Sequence, residues 1–231
     1  MVSIIACTMR DRMMDNIFEN YSRQVYKDKE LIIILNEDKM DIVKWRKKAL
    51  NYDNVIVYQL PEELTLGDCM NFGIEKANFT VISKFDDDDY YSPYYLSEAM
   101  LAFQENPDVQ LVGKGVSFLY FEEDNLLTIY KKGKENEKID TFLKGGTLVF
   151  KKELFPEIRF PSQKARSTTE FREECKRRKI ITCSTSRYNY VCTRRPDLNS
   201  HTYQLPASEF MKSCEIIGTV EDYSNIVTKP F

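Results

Sequence analysis

Four short runs of mostly β-branched residues, at positions 2–6, 31–35, 55–58 and 80–83, constrain the fold more than any other feature of this chain. Each is four or five residues long and nearly continuous in hydrophobicity, as strands buried on both faces are. Between them the apolar residues fall at helical spacing: Met14, Ile17, Phe18 and Tyr21; then Ile42, Val43, Trp45 and Leu50; then Leu66, Met70, Phe72, Gly73 and Ala77. Strand and helix alternating in this way predict a parallel sheet wound with right-handed crossovers.

Past residue 110 the pattern changes. A helix is expected from just after Pro93 to about Phe103, ended by Asn106-Pro107-Asp108. Residues 116–121 and 126–130, separated by Glu122-Glu123-Asp124-Asn125, predict a hairpin. Residues 133–138 predict an exposed charged loop, 147–150 a strand, 169–179 an amphipathic helix, and 180–182 and 188–192 short strands. With 231 residues and no repeat or long linker, the expectation is one α/β domain over 1–231. Residues 1–110 would be its Rossmann-like half, with a mostly parallel sheet flanked by helices. Residues 111–231 would be a smaller, mixed antiparallel half.

At 42% apolar and 30% charged residues, with 8 Gly and 8 Pro, the chain reads as soluble and globular. A net charge of −3 gives no pull toward nucleic acid. No stretch has the length of a membrane span, so the chain is expected to stay in the cytoplasm. Six cysteines without a C-x-x-C pair, and a single histidine, His201, disfavour a zinc site and suit reduced thiols packed as small hydrophobes. Charge is divided: residues 1–115 hold 13 Lys/Arg against 20 Asp/Glu, and the remainder 20 against 16. Solvated helix faces explain this, as does an anionic ligand held with a metal between an acidic and a basic half.

The sharpest chemical feature is Lys84-Phe85-Asp86-Asp87-Asp88-Asp89, at the carboxyl end of the fourth expected strand. Four consecutive carboxylates repel one another. A chain tolerates that at a solvated turn, or where a hard divalent cation neutralises the charge. In open parallel sheets ligands gather at the carboxyl ends of strands, which favours the cation. Mg²⁺ or Mn²⁺ binds through one or two carboxylates and fills its shell with water and phosphate oxygens, so a diphosphate suits the position.

Several passages resemble the bacterial family 2 glycosyltransferases of the GT-A fold. They are Val2-Ser3-Ile4-Ile5-Ala6-Cys7-Thr8; Asn20-Tyr21-Ser22-Arg23-Gln24 with Lys29 to Asn36; Leu66-Gly67-Asp68-Cys69-Met70-Asn71-Phe72-Gly73; and Phe85-Asp86-Asp87-Asp88-Asp89, which is similar to the family's "L-D-x-D-D". Their order and spacing match across essentially the whole chain. The resemblance implies a metal-dependent, inverting transfer of a sugar from a nucleotide diphosphate sugar, with a uridine diphosphate sugar the first expectation. The acceptor it allows is a glycan, polymer or protein, and it allows a homo-oligomer.

Carried over to this chain, the resemblance puts Thr8 and Asn36 on the nucleoside, Lys84 beside the nucleotide, Asp86 on the ribose or sugar, and Asp88, with Asp86, on Mg²⁺ or Mn²⁺. Asn36 stands where Asp is more common, and Met70 where Arg is frequent. Asn71 and Gly73 are expected to shape helix packing. Gly145 and Gly146 resemble an acceptor-side glycine strand, although an ordinary turn before a strand also accounts for them. Arg194, Arg195 and His201 resemble a downstream segment that lies over the diphosphate, with His201 a possible metal ligand.

The sequence departs from the family at its catalytic base. Thr168 occupies the position of the base carboxylate, and a threonine hydroxyl is not a base near neutral pH. Glu170 is a substitute in sequence, with Glu173 one turn along, but Ser167-Thr168-Thr169-Glu170 also reads as a capping box, the preferred explanation. Three outcomes stay open: a relocated base, an acceptor needing little base assistance, or a degenerate protein that binds nucleotide sugar without turning it over. A nucleotidyltransferase is a weaker reading, since Met9-Arg10-Asp11-Arg12 is not a glycine-rich phosphate loop.

Overall fold

The computed structural model describes residues 1–138, 142–163, 165–197 and 206–230. Through the first half the elements alternate as expected: β1 (Val2–Thr8), α1 (Met14–Ser22), β2 (Lys29–Leu35), α2 (Ile42–Ala49), β3 (Val55–Gln59), α3 (Leu66–Lys76) and β4 (Val81–Asp86). β1 pairs in parallel with β2 on one side and β4 on the other, and β2 pairs in parallel with β3. Alternate residues of these strands face opposite ways. Ile4, Leu31 and Ile33 pack with Phe18, Tyr21 and Trp45, while Ile5, Ile32 and Ile34 pack with Met70 and Ile74. Burial on both faces is why the runs are continuous rather than alternating.

The chain continues through β5 (Tyr90–Tyr91), α4 (Tyr95–Glu105), β6 (Leu111–Gly113), β7 (Val116–Phe121), β8 (Leu126–Lys131), β9 (Val149–Lys151), α5 (Ser167–Arg177), β10 (Thr182–Ser184), β11 (Tyr190–Arg194), α6 (Ala207–Met211), β12 (Cys214–Thr219) and α7 (Ser224–Val227). One sheet has the order β10-β6-β9-β4-β1-β2-β3, with β9 antiparallel to both its neighbours. A second sheet runs β12-β8-β7-β11-β5. The β7–β8 hairpin forms where expected, and Asn125 in its turn takes φ 47°, a conformation Asn tolerates.

Several boundaries differ from the sequence reading. Residues 145–147 form a 3-10 turn, and the strand expected at 147–150 begins only at Val149. The strands expected at 180–182 and 188–192 lie two residues later, as β10 and β11. Lys179 (φ 56°) and Asn189 (φ 70°), both in the left-handed region, interrupt the chain just before them. The charged loop at 133–138 is fastened down: Glu135 pairs with Arg187, and Lys138 bridges to Cys183.

The capping box expected on α5 is not there. The helix starts one residue too early for it, with Arg166 as its N-cap at φ 65°, and the Ser167 hydroxyl donates instead to the Pro161 carbonyl at 3.1 Å. Glu170 lies beside Arg166 at 3.6 Å. A capping box forms on α3, where the Thr65 hydroxyl accepts the Asp68 amide and the Asp68 carboxylate accepts the Thr65 amide.

One buried ion pair ties the two halves together. Lys114, fully buried between β6 and β7, donates to Glu98 of α4 at 3.0 Å, to the Thr185 hydroxyl at 3.1 Å and to the Ser186 carbonyl at 2.8 Å. Burial pulls the ammonium below its ordinary pKa against the opposing effect of Glu98. All of the ammonium's three donors thus have acceptors, the condition for carrying a charge inside a core.

Candidate functional site

β1 has β2 on one side and β4 on the other, so the chain direction out of the sheet reverses between β1 and β4. A crevice opens at their carboxyl ends, the position at which open α/β sheets collect ligands. Thr8 ends β1 and Asp86 ends β4. The four aspartates form the turn that leaves this crevice, and their side chains diverge into four different environments.

Asp87 points back toward β1. It accepts the Thr8 hydroxyl at 2.5 Å and the Arg10 Nε at 3.1 Å, with a second Arg10 contact from Nη2. Burial raises its carboxyl above the usual range, while Arg10 and Thr8 pull it down. Asp89 is fully buried in the other direction, accepting the Tyr190 hydroxyl and the Thr193 amide. Burial first, then the neighbouring Asp88 and Asp86, pushes it up to about 7. Asp86 takes the ammonium of buried Lys84. Burial works most strongly against the charge on Lys84, but Asp86, together with Cys7 and Asp89, offsets it and the ammonium is held above its ordinary pKa. Asp88 lies between two guanidiniums: its Oδ2 is 3.1 Å from Arg10 Nη2 and 2.8 Å from Arg195 Nη1.

The backbone of the turn is gripped from α1. Asn16 Nδ2 donates to the carbonyls of Asp87 at 2.8 Å and Asp89 at 3.0 Å, and Asn20 Nδ2 donates to Asp89 at 2.8 Å. These asparagines are four residues apart and therefore share a helix face. Gln24 extends the grip, donating to the Ser92 carbonyl at 2.8 Å and accepting the Leu96 amide at 3.2 Å.

Opposite the acidic turn is the turn at 145–147. A Cβ on Gly146 would stand 2.6 Å from Asp86 Oδ2 and 2.9 Å from Asp89 Oδ2, so only glycine permits this approach. The Tyr91 hydroxyl joins the two turns, accepting the Asp86 amide at 2.7 Å and donating to the Gly146 carbonyl at 2.6 Å. Thr168 at the start of α5 adjoins the preceding residue of that turn, since a Cβ on Gly145 would be 3.0 Å from Thr168 Cγ2. Glu170 is two residues farther along the helix and faces away from Thr168, as does Glu173; Phe171 and Arg172 share that face instead.

The residues selected from sequence are thus only partly assembled. Asp86, Asp88, Arg195, Gly145 and Gly146 converge on the crevice. Thr8 is buried, with its hydroxyl engaged by Asp87 and the Arg10 amide. Asn36, at the end of β2, donates to the Pro61 carbonyl at 2.7 Å. Lys84 is buried beneath Asp86, and Arg194 is buried with its guanidinium 4.5 Å from the centre of the Phe210 ring. His201 lies outside the described residues. Sequence reading missed Arg10, Tyr91, Tyr190 and the Asn16/Asn20 pair. Of these only the asparagines carried a signal, two amides at i, i+4 on an amphipathic helix, the second of them flanked by Phe18 and Tyr21.

The pattern of glycosyl transferase family 2 matches residues 3–162, more than half of the chain and all of the crevice built by β1 to β4. The chain belongs to glycosyl transferase family 2. This family member is 30% identical over 121 residues to the O-antigen biosynthesis glycosyltransferase WbnJ of Escherichia coli, a stretch covering 52% of this chain and 47% of that protein. The chain therefore spans about half the length of that curated relative. Its GT-A fold is similar to the crystal structure of residues 1–349 of S. aureus TarS, with a TM-score of 0.68 at 15% identity, covering 83% of this chain and 60% of that one. The same TarS fragment in complex with UDP-GlcNAc gives a TM-score of 0.66 at 16% identity, covering 85% and 59%. The mannosyltransferase PcManGT of Pyrobaculum calidifontis, in complex with GDP-Man and Mn²⁺, gives 0.62 at 14% identity, covering 84% and 56%. Among the described residues no helix is long and apolar enough to cross a membrane.

Proposed function

We propose that this chain transfers a sugar from a nucleotide diphosphate sugar to a glycan acceptor, with inversion at the anomeric carbon. Residues 1–110 would bind the donor and residues 111–231 the acceptor. The observation that carries the reading is the Asp88 carboxylate, held at the mouth of the β1–β4 crevice between Arg10 and Arg195, with Asp86 beside Gly146. Two guanidiniums that meet on one carboxylate oxygen suit the paired phosphates of a leaving nucleotide diphosphate. The TarS complex supports a UDP-sugar as the donor to test first, and the WbnJ relative supports a glycan acceptor.

The donor set suits a hard divalent cation: Asp86 and Asp88 offer only carboxylate oxygens. Among the described residues no three His, Cys, Asp or Glu side chains cluster to form an all-protein site. Asp86 and Asp88 would hold Mg²⁺ or Mn²⁺, which would supply charge neutralisation for the leaving diphosphate. In the transfer, the acceptor hydroxyl oxygen bonds to the anomeric carbon from the face opposite the diphosphate. The bond from that carbon to the phosphate oxygen breaks, and the hydroxyl proton passes to a base. Arg195 binds and orients the departing diphosphate, and the close approach of Gly146 fixes Asp86 at the edge of the crevice.

A second reading, a nucleotide-sugar-binding protein without turnover, is favoured by one observation: the face of α5 that carries Thr168 presents no carboxylate toward Gly145. Incubation with Mn²⁺ and a panel of UDP- and GDP-sugars tests both. Steady release of nucleoside diphosphate with a glycan acceptor supports transfer. Donor binding by calorimetry without release supports the second reading, and no binding of any donor sinks both.

A further inference from the structure

We propose that Arg10 is a second donor-diphosphate ligand beside Arg195, and that these two arginines keep Asp88 from the divalent cation until the diphosphate draws them away. The proposal rests on the donor-site reading above and goes beyond it by coupling the two ligands through named side chains. Arg10 follows β1 at the mouth of the crevice, and its fork is oriented from behind by Asp87, which is buried and also held by Thr8. The same Arg10 Nη2 that touches Asp87 also reaches Asp88 Oδ2, and Arg195 Nη1 reaches that one oxygen from the other side.

Among the described residues each aspartate of the turn has a cationic or hydrogen-bonding partner. Lys84, Arg10 and Arg195 offset Asp86, Asp87 and Asp88, and Asp89 is satisfied by the Tyr190 hydroxyl and the Thr193 amide. The acidic run therefore presents little uncompensated charge to a free cation, contrary to what four consecutive aspartates suggest. A cation on Asp88 Oδ2 would share that oxygen with two guanidiniums, and three positive groups on one oxygen repel. A diphosphate changes the balance because it offers both guanidiniums acceptors of higher charge. Arg10 stays anchored on Asp87 and turns its outer N–H from Asp88 to a phosphate oxygen, Arg195 does the same, and Asp88 is freed. Coupling of this kind is reciprocal, so cation and diphosphate each tighten the other.

Calorimetry on the full chain tests this with Mn²⁺, UDP and GDP, each alone and in pairs. The expected result is Mn²⁺ binding that tightens roughly tenfold or more when UDP or GDP is present. In Arg10→Gln, Mn²⁺ alone is expected to bind roughly threefold or more tighter than in the wild type, the nucleotide alone to bind about tenfold weaker, and the coupling to shrink. Arg195→Gln, whose guanidinium contacts Asp88 and Glu122 at the edge of the site, is expected to behave likewise and serves if Arg10→Gln does not fold. Independent uptake of nucleotide and Mn²⁺ by the wild type, or an Arg10→Gln variant with wild-type affinities, overturns the proposal and leaves the donor-site reading intact. A wild type that takes up neither UDP nor GDP in the presence of Mn²⁺ overturns both.

Discussion

The buried hydroxyl of Tyr91 donates to the Gly146 carbonyl at 2.6 Å and at the same time accepts the amide of Asp86, so one phenol oxygen sets the distance between the acidic turn and the glycine turn. Burial, with Asp86 and Asp89 nearby, holds the phenol well above its ordinary pKa, so it remains a donor at all working pH values. Its ring stacks on Phe85 with centroids 3.8 Å apart, which fixes the direction of the hydroxyl. Tyr91→Phe keeps the ring and strands one buried amide and one carbonyl. The expected loss is about 1–3 kcal/mol in urea unfolding, together with weaker donor binding. Unchanged stability would show that the hydroxyl does not hold the turns together.

Asp89 gives the stability a pH dependence of defined sign. Its carboxyl is pushed up to about 7 in the folded chain, against about 4 when unfolded. Between those values the folded state keeps a proton that the unfolded state has lost, so stability is highest at the acid end and falls as pH rises toward and past 7. The melting temperature measured in EDTA is expected to drop from pH 5 to pH 8. Asp89→Asn retains an acceptor for Tyr190 and is expected to flatten that fall; an equally steep fall in the variant would assign it to other groups.

Lys114→Met removes one member of the buried pair with Glu98. Glu98 would still hold Ser186 and Asn189 but would keep an uncompensated charge in the interior. Loss of one partner of a buried pair typically costs about 3–5 kcal/mol. The expected outcome is a loss of that order in denaturant unfolding with UDP affinity unaltered, because Lys114 makes its contacts with α4 and the loop before β11.

Thr168→Asp places a carboxylate beside Gly145, at the position that the sequence resemblance assigns to the base. If proton removal limits turnover, the release of nucleoside diphosphate with acceptor present is expected to rise by about 10²-fold, the usual worth of a general base. The pH–rate profile should gain a rising limb in the carboxylate range. Thr168→Val is the matched control, with wild-type rates expected. Equal rates in both variants would show that the base lies elsewhere.

The strands and helices of the first half could be read from the chain because their cause is local. A run such as Ile32-Ile33-Ile34 suits burial on two faces, and Phe18 and Tyr21 at helical spacing suit one. The short strands escaped notice for the opposite reason. β5 is two residues long and β12 is a largely exposed edge, so neither carries a periodicity to detect. The box on α5 failed by one residue, because Arg166 entered the left-handed region and turned Ser167 toward Pro161.

From the linear order of residues alone follow the α/β class, the acidic turn at the end of β4, and the departure at Thr168, since each depends on residue type and near neighbours. The division of labour within the turn does not. Four identical side chains, adjacent in the chain, acquire different partners because distant residues meet there: Arg10 from the end of β1, 77 positions from Asp87, and Tyr190 and Arg195 from β11 and its exit, 101 and 107 positions from Asp89 and Asp88; only Lys84, two residues from Asp86, is a near neighbour. Electrostatic energy depends on distance and burial rather than on separation along the chain, and those two quantities exist only once the sheets have packed.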